Sequence, residues 1–342
     1  MRVFEGFMKG INLGGWISQC GHNYNEEHYN TFITKKDIDL IASWGLDHVR
    51  LPVDYNVVQN DDGSFIESGF KHIDDCIKWC EANNMKVVLD LHKTCGYVFD
   101  DATYCDFFKE RKLQEMFIRL WSEFARRYGS KKNVAFELLN EITDLSTAVP
   151  WNRIATETIA AIRPIAPTTK IIIGGVFNSS IYGLTLLRAP YDENIVFTFH
   201  SYSPMVFSHQ SACWIKQMPK DFSTTYPLPA SEMRAISKSI YGIDFDEDFK
   251  YLGDRILDAE FFKQLFAPAL AVAKKHNVPL YCGEYGVINF ADSASRLQWY
   301  KDFHAAIEFY NLPRAAWNYK SMLFGITDEP NKDIYEELIQ NL

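Results

Sequence analysis

Short β-rich runs alternate with amphipathic helical stretches along nearly the whole chain. Eight runs read as strands: 10–17 (GINLGGWI), 48–53 (HVRLPV), 86–92 (KVVLDLH), 133–141 (NVAFELLNE), 170–175 (KIIIGG), 195–202 (IVFTFHSY), 279–286 (PLYCGEYG) and 314–320 (RAAWNYK). Between and after them, helical periodicity covers 34–44, 70–83, 114–128, 151–163, 258–275, 294–310 and 331–342. A tight turn cannot join parallel strands, so alternation of this kind demands helical crossovers. Eight such strands predict an α/β chain closed into a (β/α)8 TIM barrel, one catalytic domain spanning 1–342. The interval from the sixth strand to the seventh is more than twice the typical spacing. The excess, 204–257, reads as a subdomain inserted between strand six and its helix. It is rich in aromatics (Phe207, Trp214, Phe222, Tyr226, Tyr241, Phe245) and ends in an acidic run, 244–248. An insertion that long is usually a lid or a cleft wall; a peripheral unit with its own small core is the plainer alternative.

Several readings fall away. An open doubly wound sheet would carry a Gly-rich phosphate loop after an early strand, and none is present. P-loop, G-x-S-x-G, H-E-x-x-H and EF-hand patterns are also absent. Lys plus Arg number 35 against 44 Asp plus Glu, a net charge of −9, a poor footprint for a nucleic-acid partner. No apolar run reaches the ~18 residues of a membrane span. The start, MRVFEGFMKG, lacks a signal-peptide core, and localisation stays open between a secreted mature chain and a cytoplasmic one. Seven cysteines make an odd count that argues for mostly reduced thiols. His72, Cys76 and Cys80 have helical spacing, but they share a stripe with Phe70, Ile73 and Ile77, so they read as core and not as a metal site.

Polar residues crowd the C-terminal ends of the strands, where a barrel gathers its active site. Arg50 ends strand two, His92 strand three, Asn140 and Glu141 strand four, His200 and Tyr202 strand six, Glu284 strand seven and Trp317 strand eight. Residues two apart on a strand share a face. Alternation then groups His48 with Arg50, Asp90 with His92, Glu137 with Leu139 and Glu141, Val196 with Thr198, His200 and Tyr202, and Leu280 with Cys282 and Glu284. One ionisable strand end is readily a structural ion pair. Convergence from six strands is the mark of a site. Two glutamates facing each other across a barrel mouth are what glycosidic cleavage requires, one protonated and one ionised. A barrel of this size predicts the ~5–5.5 Å separation of retaining enzymes. Glu137, two residues deeper than Leu139, reads as a hydrogen-bonded core acid.

The motifs KGINLGGW, HVRLPVDY, LDLHK, FELLNE, FHSY, CGEYGV and AAWNYK, in that order, resemble glycoside hydrolase family 5. The likeness runs from Gly10 to about Lys320 and is nearest to clostridial cellulase C-type endoglucanases. It implies Glu141 as general acid/base, Glu284 as nucleophile and Asn140 on the 2-hydroxyl of the cleaved sugar. It also implies Arg50 and Tyr202 flanking Glu284, His200 near Glu141, His92 on a sugar hydroxyl, and Trp317 as the stacking floor. Trp214 in the insertion is implied, more weakly, as a further sugar contact. The implied activity is a retaining endo-β-1,4-glucanase acting on β-glucan polysaccharide or oligosaccharide as a monomer, with no metal, no cofactor and no membrane. Cleavage of β-1,3-glucan or of mannan and glucomannan is the alternative, because NLGGW also occurs in β-1,3-cleaving members and subsite residues decide the linkage. A non-catalytic glycan-binding protein is disfavoured by the complete residue set. Lys93 stands where the family often has a second His. Cys95 and Cys105, in 94–106, are open between a pair and free thiols.

Overall fold

The computed structural model describes residues 1–99, 101, 105–242 and 253–342. Its strands are β1 (Lys9–Asn12), β2 (His48–Asp54), β3 (Lys86–Lys93), β4 (Val134–Glu137), β5 (Ile171–Gly174), β6 (Ile195–Ser201), β7 (Leu280–Tyr285) and β8 (Arg314–Ala316). They pair in sequence order into a closed barrel, with β1 running parallel to both β2 and β8. The barrel expectation therefore holds.

The helices follow the apolar periodicity. Lys35–Ser43 starts at a capping box, with the Thr34 N–H donating to Asp37 Oδ2 at 2.7 Å and Thr34 bonded in return. Glu67–Ala82, Arg111–Tyr128, Ala148–Ile162, Ala259–His276 and Ser293–Tyr310 begin within three residues of their expected starts. One element differs from expectation. The C-terminal stretch splits into a 3₁₀ segment, Glu329–Ile334, and a short helix, Tyr335–Gln340. After β5 the crossover is reduced to the short turns Val176–Ser179 and Ile181–Leu184.

Two apolar layers hold the barrel. Outside it, strand residues such as Leu51, Leu89, Phe136 and Phe197 pack on helix residues such as Phe70, Ile73, Cys76, Phe117 and Trp121. Inside it, Val88, Ala135, Ile172, Val196, Tyr281 and Ala315 form a separate cluster, closed at the bottom by Phe4 and Phe7. Those two rings stack at 4.2 Å. The lower barrel is thus mostly hydrocarbon, with one polar pair, His48 Nε2 and the Tyr281 hydroxyl at 2.9 Å, and the charged side chains gather in the upper half. Cys76 and Cys80 are fully buried in the outer layer, and His72 turns to Glu26 at 3.2 Å. All seven cysteines, Cys95 and Cys105 included, are free thiols.

Strict alternation fails on two strands. Tyr281 points into the barrel, while Leu280 and Cys282 pack outward against the helices. Glu284 nonetheless faces the barrel mouth, because the β6–β7 register slips between Phe199 and His200, pairing Cys282 with Phe199 and Glu284 with His200. The extra residue is Gly283. A β-carbon there would lie 2.9 Å from Thr198 Oγ1 and 3.1 Å from His200 Nε2. A bulge re-aims a side chain in this way, and any side chain at Gly283 would press on Thr198 and His200. On β4 the strand ends at Glu137, and Leu139 packs in the outer layer, so it does not share a face with Glu141. Gly283→Ala is expected to fold but to push Thr198 and His200 aside. Activity should fall by about 10²-fold, as for a ~1 Å misplacement, with the melting temperature shifted far less. Unchanged kcat/KM would remove this role for the bulge.

The described part of the β6–β7 connection holds the short helix Met205–Ser208 and the helix Ala230–Tyr241. Tyr226 anchors it to the barrel, its N–H donating to Ser295 Oγ at 3.0 Å and its hydroxyl to Asp302 Oδ2 at 3.0 Å. Phe245 and the acidic run 244–248 lie outside the described residues. Among the described residues no helix is long and apolar enough to cross a membrane.

Candidate active site

The centre of the upper barrel is Arg50, fully buried. Its guanidinium donates in a fork to Glu137, with Nε to Oε2 at 2.8 Å and Nη2 to Oε1 at 3.0 Å. Nη1 donates to Glu284 Oε1 at 2.7 Å and to Asn12 Oδ1 at 2.9 Å. Nη2 also reaches Asn140 Oδ1 at 2.9 Å and Asp90 Oδ2 at 3.1 Å. Glu137 is thus a buried structural acid tied to Arg50. Asn12 in turn donates to the Gly283 carbonyl at 3.0 Å, which pins the bulge beneath Glu284.

Glu284 is 5% exposed, and donors meet both its oxygens: Arg50 on Oε1 and the Tyr202 hydroxyl on Oε2 at 2.8 Å. Its negative charge is therefore compensated where it stands. Glu141 has a different setting. Among the described residues no Lys or Arg bonds it; His200 Nδ1 lies 2.8 Å from Oε1, and Asn178 Nδ2 donates to Oε2 at 3.0 Å. Burial raises its pKa, against the opposing pull of the Asn178 bond and of His92 and Arg50. Burial also pushes His200 down to about 4, so its ring is neutral at neutral pH. The Glu141 and Glu284 oxygens and a His200 nitrogen all lie within 4.8 Å of one another.

A second chain of bonds fixes Asn140. Asp90 Oδ2 lies 2.7 Å from His92 Nδ1, and His92 Nε2 lies 3.4 Å from Asn140 Nδ2. Donation from Nδ1 to Asp90 leaves Nε2 as acceptor and turns the Asn140 amide N–H groups toward His92 and the cleft. Burial raises Asp90 to about 7 despite Arg50 beside it. Trp317 lies flat on His92, with centroids 5.7 Å apart and planes 4° apart. The structure thus brings Arg50, His92, Asn140, Glu141, His200, Tyr202, Glu284 and Trp317 to one mouth. Trp214 stands apart at the rim, 52% exposed, edge-on to His209, which also contacts Tyr202. Lys93 forms its own cluster with Asp54 (3.2 Å) and the Tyr24 hydroxyl (2.9 Å).

Sequence reasoning singled out neither Asn12 nor Asn178. Asn12 lies within the first strand motif, where only its barrel-facing register gives it a role. The signal for Asn178 is faint: an Asn in FNSS after strand five, a residue type that tolerates the left-handed backbone found there.

A closed (β/α)8 barrel whose mouth holds two near carboxylates, one charge-compensated and one pushed toward its protonated form, defines a glycoside hydrolase. The sequence profile of the cellulase family, glycosyl hydrolase family 5, matches residues 10–322. The chain belongs to that family. Cellodextrinase A of Ruminococcus flavefaciens is 39% identical, over 91% of this chain and 84% of its own. Endoglucanase C of Acetivibrio thermocellus is 38% identical over 98% of both. Among solved structures, the Clostridial cellulose synthase subunit Z from Clostridioides difficile is 27% identical, with a TM-score of 0.75 over 97% of this chain and 99% of its own. Endoglucanase Cel5A from Thermotoga maritima, at 24% identity, shares the fold with a TM-score of 0.78 over 98% and 97%.

Proposed function

We propose that the chain is a retaining endo-β-1,4-glucanase with Glu284 as nucleophile and Glu141 as general acid/base. The observation that carries this reading is the unequal setting of two carboxylates within 4.8 Å. Glu284 attacks the anomeric carbon, and Glu141 gives its proton to the leaving oxygen as the glycosidic bond breaks. The glycosyl ester on Glu284 is then attacked by water, from which Glu141 takes a proton. Two inversions leave the product anomer unchanged. Asn140, aimed by His92 and Arg50, bonds the 2-hydroxyl, and Trp317 stacks on the sugar's C–H face. Likeness over most of the chain to proteins named endoglucanase and cellodextrinase supports β-1,4-glucan chains, long or short, as the substrate class. Action as a monomer is part of the same proposal.

The described residues within 204–257 serve in this reading as part of an inserted subdomain walling the cleft. Ala212 packs in one cluster with Ile288, Trp317 and Phe324, and Ile215 and Tyr202 pack against it, which supports that role. Trp214, exposed at its edge, meets further sugars in this reading.

Glu141→Ala tests the acid assignment. Turnover of cellodextrins should fall ~10²–10⁴-fold, the usual contribution of a general acid. An aryl cellobioside with an activated phenol needs no proton in its first step, so its glycosylation should fall far less. Equal losses on both substrates would refute the assignment.

A further inference from the structure

Glu141 is reached from every side of the mouth. His200 on β6 and Glu284 on β7 are its near titratable neighbours. Arg50 on β2 and His92 on β3 act on it through charge, and Asp90 and Tyr202 feel its charge in return. The remaining side is the loop after β5, and there the contact comes from Asn178.

That loop is built in an unusual way. Phe177, Asn178 and Ser179 have φ of 61°, 55° and 49°, three consecutive non-glycine residues in the left-handed region. Such residues persist only where the surroundings over-determine them, and they concentrate at functional sites. Here the surroundings are specific. A β-carbon on Gly175 would lie 2.2 Å from the Gly183 carbonyl carbon, so the two backbones touch across the loop. Ser180 caps the next turn, accepting from the Gly183 N–H at 3.1 Å. Val176 pairs with Ile142, and the Asn178 N–H donates to the Ile142 carbonyl at 2.9 Å. Ile142 follows Glu141 directly. The Tyr97 hydroxyl, on the loop after β3, donates to the Glu141 carbonyl at 2.8 Å. The left-handed turn is therefore fastened to the backbone that carries Glu141, and it delivers one side-chain contact to that residue: the Asn178 amide on Oε2.

We infer that Asn178 is a positioning residue for the acid/base. An amide nitrogen only donates. Its bond to Oε2 favours the ionised form of Glu141, the form that must activate water in the second step, and opposes the effect of burial. It also holds the carboxyl plane against rotation while the proton is on it. Asn178 thus balances the two halves of the cycle: the acid of the first step and the base of the second. This rests on the assignment of Glu141 above.

Two variants test it without breaking the turn. Asn178→Gly removes the amide and suits a positive φ better than any other residue. Asn178→Asp keeps shape and tolerance of the left-handed backbone but sets a like charge against Glu141. Loss of a donor, or gain of a negative charge, raises the Glu141 pKa. The alkaline limb of kcat/KM, set by loss of the acid's proton, should therefore move to higher pH. The expected shift is about one unit for Asn178→Gly and more for Asn178→Asp. At the wild-type optimum, kcat on cellodextrins should fall by about tenfold, with the first step on an activated aryl cellobioside little changed. A merely structural role for Asn178 would lower rates on both substrates without moving the limb. Alkaline limbs that coincide with wild type in both variants would overturn the inference. Glu141→Ala, run alongside, separates the two failures: if it loses equally on both substrates, the acid assignment itself is wrong.

Discussion

Glu284→Gln is expected to abolish glucan hydrolysis while the barrel stays folded. The amide is isosteric with the carboxylate and keeps an oxygen for Arg50 or Tyr202. It also removes one negative charge from a centre where Arg50 faces Asp90, Glu137 and Glu284 together, so the fold loses little. What it lacks is a lone pair able to form the glycosyl ester. Removal of a nucleophile that acts as part of a unit costs many orders of magnitude; here a loss of ~10⁴-fold or more is expected. The measurement is reducing-end release from carboxymethylcellulose, mixed-linkage β-glucan, β-1,3-glucan and glucomannan. Wild type should act on the first two, and the variant on none. A variant that retains turnover would remove Glu284 as nucleophile. Wild-type release only from β-1,3-glucan or glucomannan would keep the chemistry and change the specificity.

The parts of this site that were legible in the sequence are those that a simple period reveals. Strand–helix alternation predicted the barrel, and the strand ends carried His92, Asn140, Glu141, His200, Tyr202, Glu284 and Trp317, while Arg50, expected at the end of its strand, lies within β2, which runs on to Asp54. What alternation missed arises where the backbone departs from it. The parity argument put Cys282 beside Glu284, yet Cys282 faces the helices, because a bulge at Gly283 adds a residue to β7. It put Leu139 beside Glu141, but β4 has already ended at Glu137. Asn178 depends on a left-handed turn, and no periodicity encodes one. The plug of Phe4 and Phe7 comes from a segment with no strand or helix pattern at all. Each of these is a local backbone event, visible only once the neighbouring strands are in place.

Arg50→Met is expected to cost more stability than any catalytic substitution discussed above. Three buried carboxylates share this one guanidinium, and Glu137 takes it bidentately. Breaking such a centre by removing its cation leaves uncompensated buried charge, at about 3–5 kcal/mol. Asp90 would answer by binding its proton more tightly. It already does so in part, raised to about 7 by burial in the presence of Arg50. Without Arg50, Asp90 would titrate still further above its unfolded value near ~4. The folded variant would then hold that proton where the unfolded chain has lost it, and its stability would fall as pH rises from ~4 through the raised Asp90 value. Urea unfolding at about pH 5 and pH 8 should therefore show a small deficit against wild type at the lower pH and a large one at the higher. Arg50→Lys keeps a charge but not the fork, and its deficit should be smaller and less dependent on pH. A deficit that is the same at both pH values would mean that Arg50 acts through packing and not through charge. The same guanidinium bonds Glu284 and Asn140, so the group that lets the carboxylates be buried is also the one that aligns nucleophile and sugar contact. Stability and catalysis are joined at this residue, and Arg50→Lys should lose activity well before it loses the fold.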